Sequence, residues 1–173
     1  FEKKMRKHGF AFTADAPYAV EVVKRPDAPV ARSEGYSLVT TAKGARIEAR
    51  DAQGVLWGLV TLIQIADPAK KAVRCAKIRD WPDLARRGYL GAYWTDCAEF
   101  TVMFKMNTVV HQRHPEFLGQ FTPLRVFLNE SLAHEFRDLG LTLYYGLNWL
   151  SMDPQLPMKP PRTTEFRSSV FKH

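Results

Sequence analysis

Apolar and polar residues alternate in the first third of the chain, and this alternation predicts a sheet with one solvated face. Ala45, Ile47 and Ala49 are separated by charged residues, and a period of two is typical of a strand that buries one face. Lys43-Gly44 precedes this strand and is predicted as the two-residue connection of a hairpin. The elements predicted in residues 1–84, besides the main helix, are a short helix over residues 1–8, ended by Gly9, and strands over 18–24, 36–42, 45–51 and 73–78.

An apolar stretch in the same region is predicted as a helix that packs closely on this sheet. Asp51 stands at its N-cap position, and Asp67-Pro68 ends it after Ala66. Gly54 and Gly58 lie four residues apart, and therefore on one side of the helix. Each glycine costs a helix up to about 1 kcal/mol, so the pair predicts a close approach of the helix backbone to the sheet.

A turn at residues 80–83 (DWPD) divides the chain into two predicted domains, residues 1–84 and residues 85–173. Proline disfavours the helical region for the residue before it and donates no backbone hydrogen bond. The run from Tyr89 to Trp94 is short and mostly apolar, as is typical of a strand buried on both faces. We therefore predict an α+β lead domain followed by the first strand of a parallel barrel.

Strands and helices alternate in the second domain, which predicts a parallel sheet. Asp96 with Glu99 resembles a capping box and predicts a helix through Met106. Thr122-Pro123 is typical of the start of another helix, which is predicted to end at Gly140. The strands predicted here are residues 89–94, 107–111 and 141–145. We interpret these elements as the first βα units of a parallel barrel.

Composition narrows the class of protein. Hydrophobic residues make up 46% of the chain, which is enough for a core, and no apolar run approaches the ~20 residues of a membrane span. The net charge of +7 suggests a nucleic-acid-binding domain as one hypothesis. The lysines and arginines are spread along the chain without basic repeats, however, so a basic solvated surface is favoured, and neither a nucleic acid nor a membrane is predicted as partner.

No metal and no cofactor are predicted. Cys75 and Cys97 lack the spacing of a metal site and are interpreted as two buried thiols rather than a disulfide. His111 and His114 are the only close pair of histidines, and a pair of this spacing across a strand end does not predict a metal site.

Several motifs carry a resemblance to a known family. They are residues 34–38 (EGYSL), 51–64 (DAQGVLWGLVTLIQ), 78–82 (IRDWP), 87–88 (RG) and 105–107 (KMN). In this order they resemble the lead domain and the barrel entry of exo-acting glycoside hydrolases. The closest groups are the β-N-acetylhexosaminidases of the chitobiase type and of the O-GlcNAcase type, glycoside hydrolase families 20 and 84, and the resemblance covers nearly the whole chain.

This resemblance implies a fold and an activity. The fold is a zincin-like α+β lead domain followed by the first units of a (β/α)8 barrel. The activity is exo-hydrolysis of terminal N-acetyl-β-hexosaminides, in which the acetamido oxygen of the sugar attacks the anomeric carbon, one carboxylate holds the acetamide and its neighbour protonates the leaving oxygen. The family's carboxylates follow the fourth strand, and a full barrel takes ~250 residues. The catalytic pair is therefore expected outside residues 1–173, and no catalytic residue is assigned.

Some positions depart from the family patterns. Thr95 stands where chitobiase-type enzymes carry a sugar-binding arginine, and residues 90–94 (LGAYW) lack the glutamate of the O-GlcNAcase run. Residues 87–91 (RGYLG) and 132–137 (LAHEFR), followed by Gly140, also resemble the α-glucuronidases. An α-glucuronidase is the second hypothesis, and a sugar-binding or interaction domain without catalysis is a further one. The opening on Phe1 suggests processing or a truncated start. No signal peptide is predicted within the given chain, and a periplasmic or extracellular location is compatible with either enzyme.

The candidate substrate site lies at the carboxyl ends of the predicted parallel strands, where such barrels carry their active sites. Aromatic rings there can stack on a pyranose, and polar groups can bind its hydroxyls. Some of these residues have an alternative structural role. Tyr93 and Trp94 would also fit ordinary packing within a barrel. His111 would also fit as a buried core histidine, and Asn148 as the cap of the turn that follows it. The predicted carbohydrate-binding residues are Tyr93, Trp94, His111, Arg113, Asn148 and Trp149.

Overall fold

The protein is described from a computed structural model, which describes residues 1–91, 97–113 and 130–147. The helices are α1 (Glu2–Lys7), α2 (Ala52–Ile65), α3 (Cys97–Met103) and α4 (Glu130–Asp138). The strands are β1 (Ala19–Lys24), β2 (Tyr36–Thr41), β3 (Gly44–Ala49), β4 (Ala66–Asp67), β5 (Ala72–Val73), β6 (Ala76–Asp80), β7 (Gly88–Gly91), β8 (Thr108–Arg113) and β9 (Thr142–Leu147).

The lead domain contains a four-stranded mixed sheet in the order β1-β3-β2-β6, with only the β1–β3 pair parallel. The predicted alternation in β3 is confirmed, because Ala45, Ile47 and Ala49 are buried. The predicted hairpin connection is wrong by one residue. Thr41 pairs with Gly44, so Ala42 and Lys43 form the turn. Gly44 belongs to the strand because it pairs with Ala19 and Thr41, and a Cβ there would lie 2.6 Å from the Ala19 carbonyl oxygen of β1, so the position requires glycine.

Helix α2 packs against this sheet as its glycines predicted. The Asp51 carboxylate accepts a hydrogen bond from the Gly54 amide at 2.7 Å, which caps the helix. A Cβ at Gly54 would lie 2.4 Å from the Gly35 carbonyl oxygen, and one at Gly58 would lie 2.6 Å from Cγ2 of Ile47. Both positions therefore require glycine for the close approach.

The strand predicted over residues 73–78 is wrong, because this segment pairs with two different partners. Strand β5 pairs with β4, whereas β6 pairs with β2. The Thr40 hydroxyl donates to the Arg74 carbonyl oxygen at 2.6 Å and accepts from the Ala76 amide at 2.8 Å. These bonds satisfy backbone groups at the break between the two strands.

The second part of the described chain holds a parallel sheet in the order β7-β8-β9, as predicted. Helix α3 lies between β7 and β8 in sequence, and α4 between β8 and β9. Gly88 opens β7, and a Cβ at this position would lie 1.8 Å from the Thr108 carbonyl oxygen of β8. The Arg-Gly motif thus supplies the glycine on which the first strand pairing depends.

The prediction that the first parallel strand is buried on both faces is wrong for the described residues. Leu90 in β7 is 64% exposed and Tyr144 in β9 is 42% exposed. Val109 on the opposite face of the sheet is buried within the core. The physical reason is that the described helices and the lead domain cover only one face of this sheet, so the side chains on its other face are exposed.

Helix α3 ends at Met103, three residues before its predicted end. Lys105 has a left-handed backbone, with φ of 52°. Its amide donates to the Val102 carbonyl oxygen and that of Met106 to the Thr101 carbonyl oxygen, which is the Schellman pattern of a helix end. The Glu99 carboxylate accepts a hydrogen bond from Lys4, and its predicted capping-box partner, Asp96, lies outside the described residues.

One hydrophobic core joins the two parts of the chain. Buried residues of the lead domain, including Trp57 and Leu62, form one cluster with Val109 and Phe136 of the second part. The cysteines are placed differently from the prediction, because Cys97 is buried whereas Cys75 is exposed, and no disulfide joins them. Among the residues that the structure describes, none of the helices combines the length and the hydrophobicity needed to cross a bilayer.

Candidate functional site

The carboxyl ends of the three parallel strands lie at one edge of the sheet. His111 pairs with Gly91 on one side and Tyr145 on the other, and Arg113 pairs with Leu147. The backbones of His111 and Arg113 therefore lie at the edge where the substrate site was predicted. The other predicted site residues, Tyr93, Trp94, Asn148 and Trp149, lie outside the described residues.

The amino ends of the same strands meet the lead domain at Glu34. The Glu34 carboxylate accepts hydrogen bonds from the Trp57 indole at 2.8 Å, the Arg87 guanidinium at 2.5 Å and the Asn107 amide at 3.1 Å. Its backbone amide donates to the Asp51 carboxylate at 2.8 Å. The donors come from α2 and from the residues just before β7 and β8, so one side chain ties three elements together.

Arg87 has further hydrogen-bond partners besides Glu34. Its Nε donates to the Lys105 carbonyl oxygen at 2.9 Å, and its Nη1 donates to that of Leu84 at 2.7 Å. Its backbone amide donates to the Asn107 side-chain oxygen at 2.9 Å, and its carbonyl oxygen accepts from the amides of Asn107 and Thr108. The Glu34–Arg87 ion pair is largely buried, with side chains 17% and 19% exposed.

A second polar group surrounds Lys105. Its ammonium donates to the Asp80 carboxylate and to the Tyr36 hydroxyl, both at 2.8 Å. The Tyr36 hydroxyl also lies 2.5 Å from the Thr61 hydroxyl. Burial raises the pKa of Tyr36, and its bonds to Lys105 and Thr61 oppose this only in part. Burial alone would raise the pKa of Asp80, but the hydrogen bond and charge of Lys105 outweigh it and lower that pKa.

The lowered pKa of Asp80 predicts a pH-dependent contribution to stability. A carboxylate whose folded pKa lies below its ordinary value of 3.8 stabilises the fold above that value and loses this contribution as the pH falls through the folded pKa. Asp80→Asn should therefore lower the free energy of unfolding at pH 7 by about 0.5–1 kcal/mol, a modest loss because the carboxylate is partly solvated. Urea unfolding at pH 7 and at pH 3 measures the difference in free energy of unfolding between the native chain and Asp80→Asn, and this difference should be smaller at pH 3.

Asp83→Asn is the matched control for this measurement, because the Asp83 side chain is 90% exposed. It should change the free energy of unfolding little at either pH. An Asp80→Asn deficit that stays constant, or grows, towards pH 3 would contradict the assigned role of the Asp80–Lys105 pair.

This arrangement of paired groups suits positioning rather than catalysis. The charges of Glu34, Arg87, Asp80 and Lys105 are each neutralised by a partner. They lie beside the residues that precede β7 and β8, at the amino ends of these parallel strands. These four residues belong to the family motifs, and the sequence alone predicted no role for them. The available signal was that charged residues recur beside glycines and aromatic residues at the motif positions.

A half-open cavity of about 260 Å³ lies among α1, α2 and α3. Its walls include apolar residues such as Leu59, Ile63 and Met103, and Lys4 and Glu99 lie on its polar side. The hydrogen bond from Lys4, opposed in part by burial, lowers the pKa of Glu99. Lys4 and Glu99 pair with each other, and Lys3, Lys7 and Glu135 are further charged residues that line the cavity.

Comparisons with known proteins agree with the fold of the lead domain. A family model described as "Glycosyl hydrolase family 20, domain 2" matches residues 1–81. None of the curated proteins compared with the chain matches it.

Solved structures give the same result at the level of fold. An exo β-N-acetylglucosaminidase of family 20 from Vibrio harveyi, in complex with N-acetylglucosamine, has a TM-score of 0.61 at 18% identity, over 83% of this chain and 29% of that one. A β-N-acetylhexosaminidase from Bacteroides fragilis NCTC 9343 has a TM-score of 0.56 at 16% identity, over 79% of this chain and 34% of that one. The structure of CpGH84B has a TM-score of 0.53 at 16% identity, over 85% of this chain and 26% of that one.

Residues 1–81 thus match a domain model of family 20, and the fold is similar to that of the solved hexosaminidases, so the resemblance to hexosaminidase-like glycoside hydrolases expected from the sequence is confirmed. The chain spans about a third of the length of the Bacteroides fragilis relative, which it covers to 34%.

Proposed function

We propose that this chain supplies the lead domain and the first three strands of the (β/α)8 barrel of an exo-acting glycoside hydrolase. The substrate would be a terminal N-acetyl-β-hexosaminide. The observation that supports this most strongly is the combination of a family 20 domain 2 with parallel strands that alternate with helices directly after it. The proposed boundary between the domains falls near residue 84.

The half-covered parallel sheet supports the barrel part of the proposal. Leu90 in β7 and Tyr144 in β9 are exposed large apolar side chains on the two strands that flank β8 in the parallel sheet. In a closed barrel, side chains of this face would fill the interior in layers with those of the other strands. The exposed face of the described sheet would thus be the interior of the complete barrel.

The proposed role of this chain in the reaction is to bind and orient the sugar. Rings following β7 and β9 would stack on the pyranose, and polar groups of β8 and of the segment after β9 would bind hydroxyls. The attack on the anomeric carbon would come from the acetamido oxygen of the substrate, with the two carboxylates supplied from outside this chain. The proposed contacts are Tyr93, Trp94, His111, Arg113, Asn148 and Trp149.

An α-glucuronidase is the second candidate. It is favoured by the segment 132–137 (LAHEFR), which lies in α4, and by Gly140, which ends that helix with φ of 68°. This arrangement agrees with the motif that resembles α-glucuronidases. A carbohydrate-binding domain without catalysis is the remaining candidate, and it would use the same strand ends.

Activity of the complete protein that contains this chain tests the proposal. It should release p-nitrophenol from an N-acetyl-β-glucosaminide, whereas residues 1–173 alone should not. Trp149→Ala should lower kcat/KM about tenfold to a hundredfold through the loss of an aromatic contact. Trp81→Ala is the control, because Trp81 lies in the lead domain and is 39% exposed, and it should leave kcat/KM unchanged.

The outcomes separate the candidates. Activity on a 4-O-methylglucuronide alone would favour the α-glucuronidase. Sugar binding without release from either substrate would favour the non-catalytic domain and contradict the proposed enzyme.

A further inference from the structure

We propose that Glu34 is a positioning residue that fixes the amino ends of β7 and β8 against the lead domain, and thereby sets the placement of the parallel sheet. The carboxylate accepts hydrogen bonds from three donors, and two of these, Arg87 and Asn107, directly precede the two strands. The third, the Trp57 indole, belongs to the core of the lead domain. This role is independent of which sugar the complete protein binds.

The backbone of Glu34 supports the inference. Glu34 has φ of 59°, a left-handed conformation that is unfavourable for a residue with a Cβ. Within the described ranges, the other non-glycine residues with positive φ are Lys71 and Lys105. Two of these three residues, Glu34 and Lys105, therefore form hydrogen bonds across the junction between the lead domain and the parallel sheet. Such strain persists where surrounding contacts over-determine it and often marks a position with a function.

The partners of Glu34 also point to the junction. Arg87 donates from its other guanidinium nitrogens to carbonyl oxygens of Leu84 and Lys105. Removing the Glu34 carboxylate would leave a largely buried guanidinium without its counter-charge, which is costly. The cost would fall on the residues that begin β7 and β8. Removal of this side chain would leave the bond from the Glu34 amide to Asp51 possible, because that bond uses the backbone.

A purely local role for Glu34 is the competing explanation. In that case its carboxylate would serve the turn before β2 and the Trp57 indole, and the lead sheet would suffer most from its loss. The two roles differ in which backbone amides become exposed. The Thr108 amide donates to the Arg87 carbonyl oxygen and the Thr142 amide to that of Asn107, so both report on the amino ends of the parallel strands. The Arg25 amide donates to the Ala49 carbonyl oxygen and reports on the lead sheet.

Amide hydrogen exchange in the 173-residue chain tests the proposal. Glu34→Ala should accelerate exchange at Thr108 and Thr142 by about tenfold to a hundredfold, as expected for the loss of charge-assisted hydrogen bonds from a unit that opens locally. Exchange at Arg25 should change much less. Glu34→Gln should give a smaller acceleration at the same two amides, because the amide oxygen still accepts hydrogen bonds while the charge is lost.

The matched control is Glu21→Ala, which removes a carboxylate that bonds to Arg46 at 2.6 Å on the exposed face of the lead sheet. It should leave Thr108 and Thr142 unchanged. Equal acceleration at all three reporter amides in the Glu34 variants, or none at Thr108 and Thr142, would overturn the proposal. If Glu34→Ala does not fold, the same comparison in Glu34→Gln decides the outcome.

Discussion

Replacing Gly88 with alanine should destabilise the chain by about 3 kcal/mol, near the upper end of the cost of overpacking. A Cβ at this position would lie 1.8 Å from the Thr108 carbonyl oxygen. Because that oxygen belongs to the backbone of the neighbouring strand, a side-chain rotation cannot relieve the clash, and β7 must move away from β8. Chemical unfolding, followed by circular dichroism, measures the loss directly.

Gly9→Ala is the control that separates the cost of a steric clash from the cost of placing alanine in a left-handed backbone conformation. Gly9 has φ of 80°, but the nearest atom to a Cβ there is 3.9 Å away, on a lysine side chain. Its replacement should therefore cost only the left-handed penalty of about 1 kcal/mol. Equal losses from the two substitutions would show that β7 does not approach β8 as closely as described.

Replacing Phe136 with alanine should cost about 3–5 kcal/mol, the usual range for removing a buried phenylalanine ring. Phe136 is fully buried and belongs to the cluster that contains Trp57 and Leu62 of the lead domain. Because one core serves both parts of the chain, unfolding should remain a single transition, shifted to lower denaturant. Intrinsic fluorescence and far-ultraviolet circular dichroism should report the same midpoint.

Phe104→Ala is the matched control, because Phe104 is 63% exposed. It should change the free energy of unfolding by less than about 1 kcal/mol. Two separate transitions in the native chain, with only the second shifted by Phe136→Ala, would contradict a shared core.

The lead domain was largely predictable because its signals are local. Asp51 marks a helix start through its own side chain, and Gly54 and Gly58 indicate close packing through their spacing within one helix. The alternation in β3 likewise reports burial at each successive residue. Outside the lead domain, the alternation of strands and helices along the chain predicted that β7, β8 and β9 pair in parallel.

The predictions that failed depend on partners distant in the sequence. Gly44 looked like a turn residue, but it is a glycine because Ala19 of β1 lies against it. Residues 73–78 looked like one strand, but their division depends on Thr40. The exposure of Leu90 depends on which elements cover the sheet. A single-sequence pattern does not contain these pairings.

The candidate sites were predictable to different extents. The strand ends followed from the order of elements, and the structure places His111 and Arg113 at that edge by their backbones. The Glu34–Arg87 interaction joins residues 53 positions apart, and its donors lie in separate motifs. The motifs were recognised as a family pattern, whereas their common contact emerged only from the fold.

The requirement for an acetamido group tests the central claim most directly. The complete protein should be assayed with p-nitrophenyl N-acetyl-β-glucosaminide and with p-nitrophenyl β-glucoside, which differ at C2 alone. A substrate-assisted mechanism predicts a kcat/KM at least about a thousandfold higher for the first, because the second sugar lacks the nucleophile. Comparable values for the two substrates would contradict the proposed hexosaminidase.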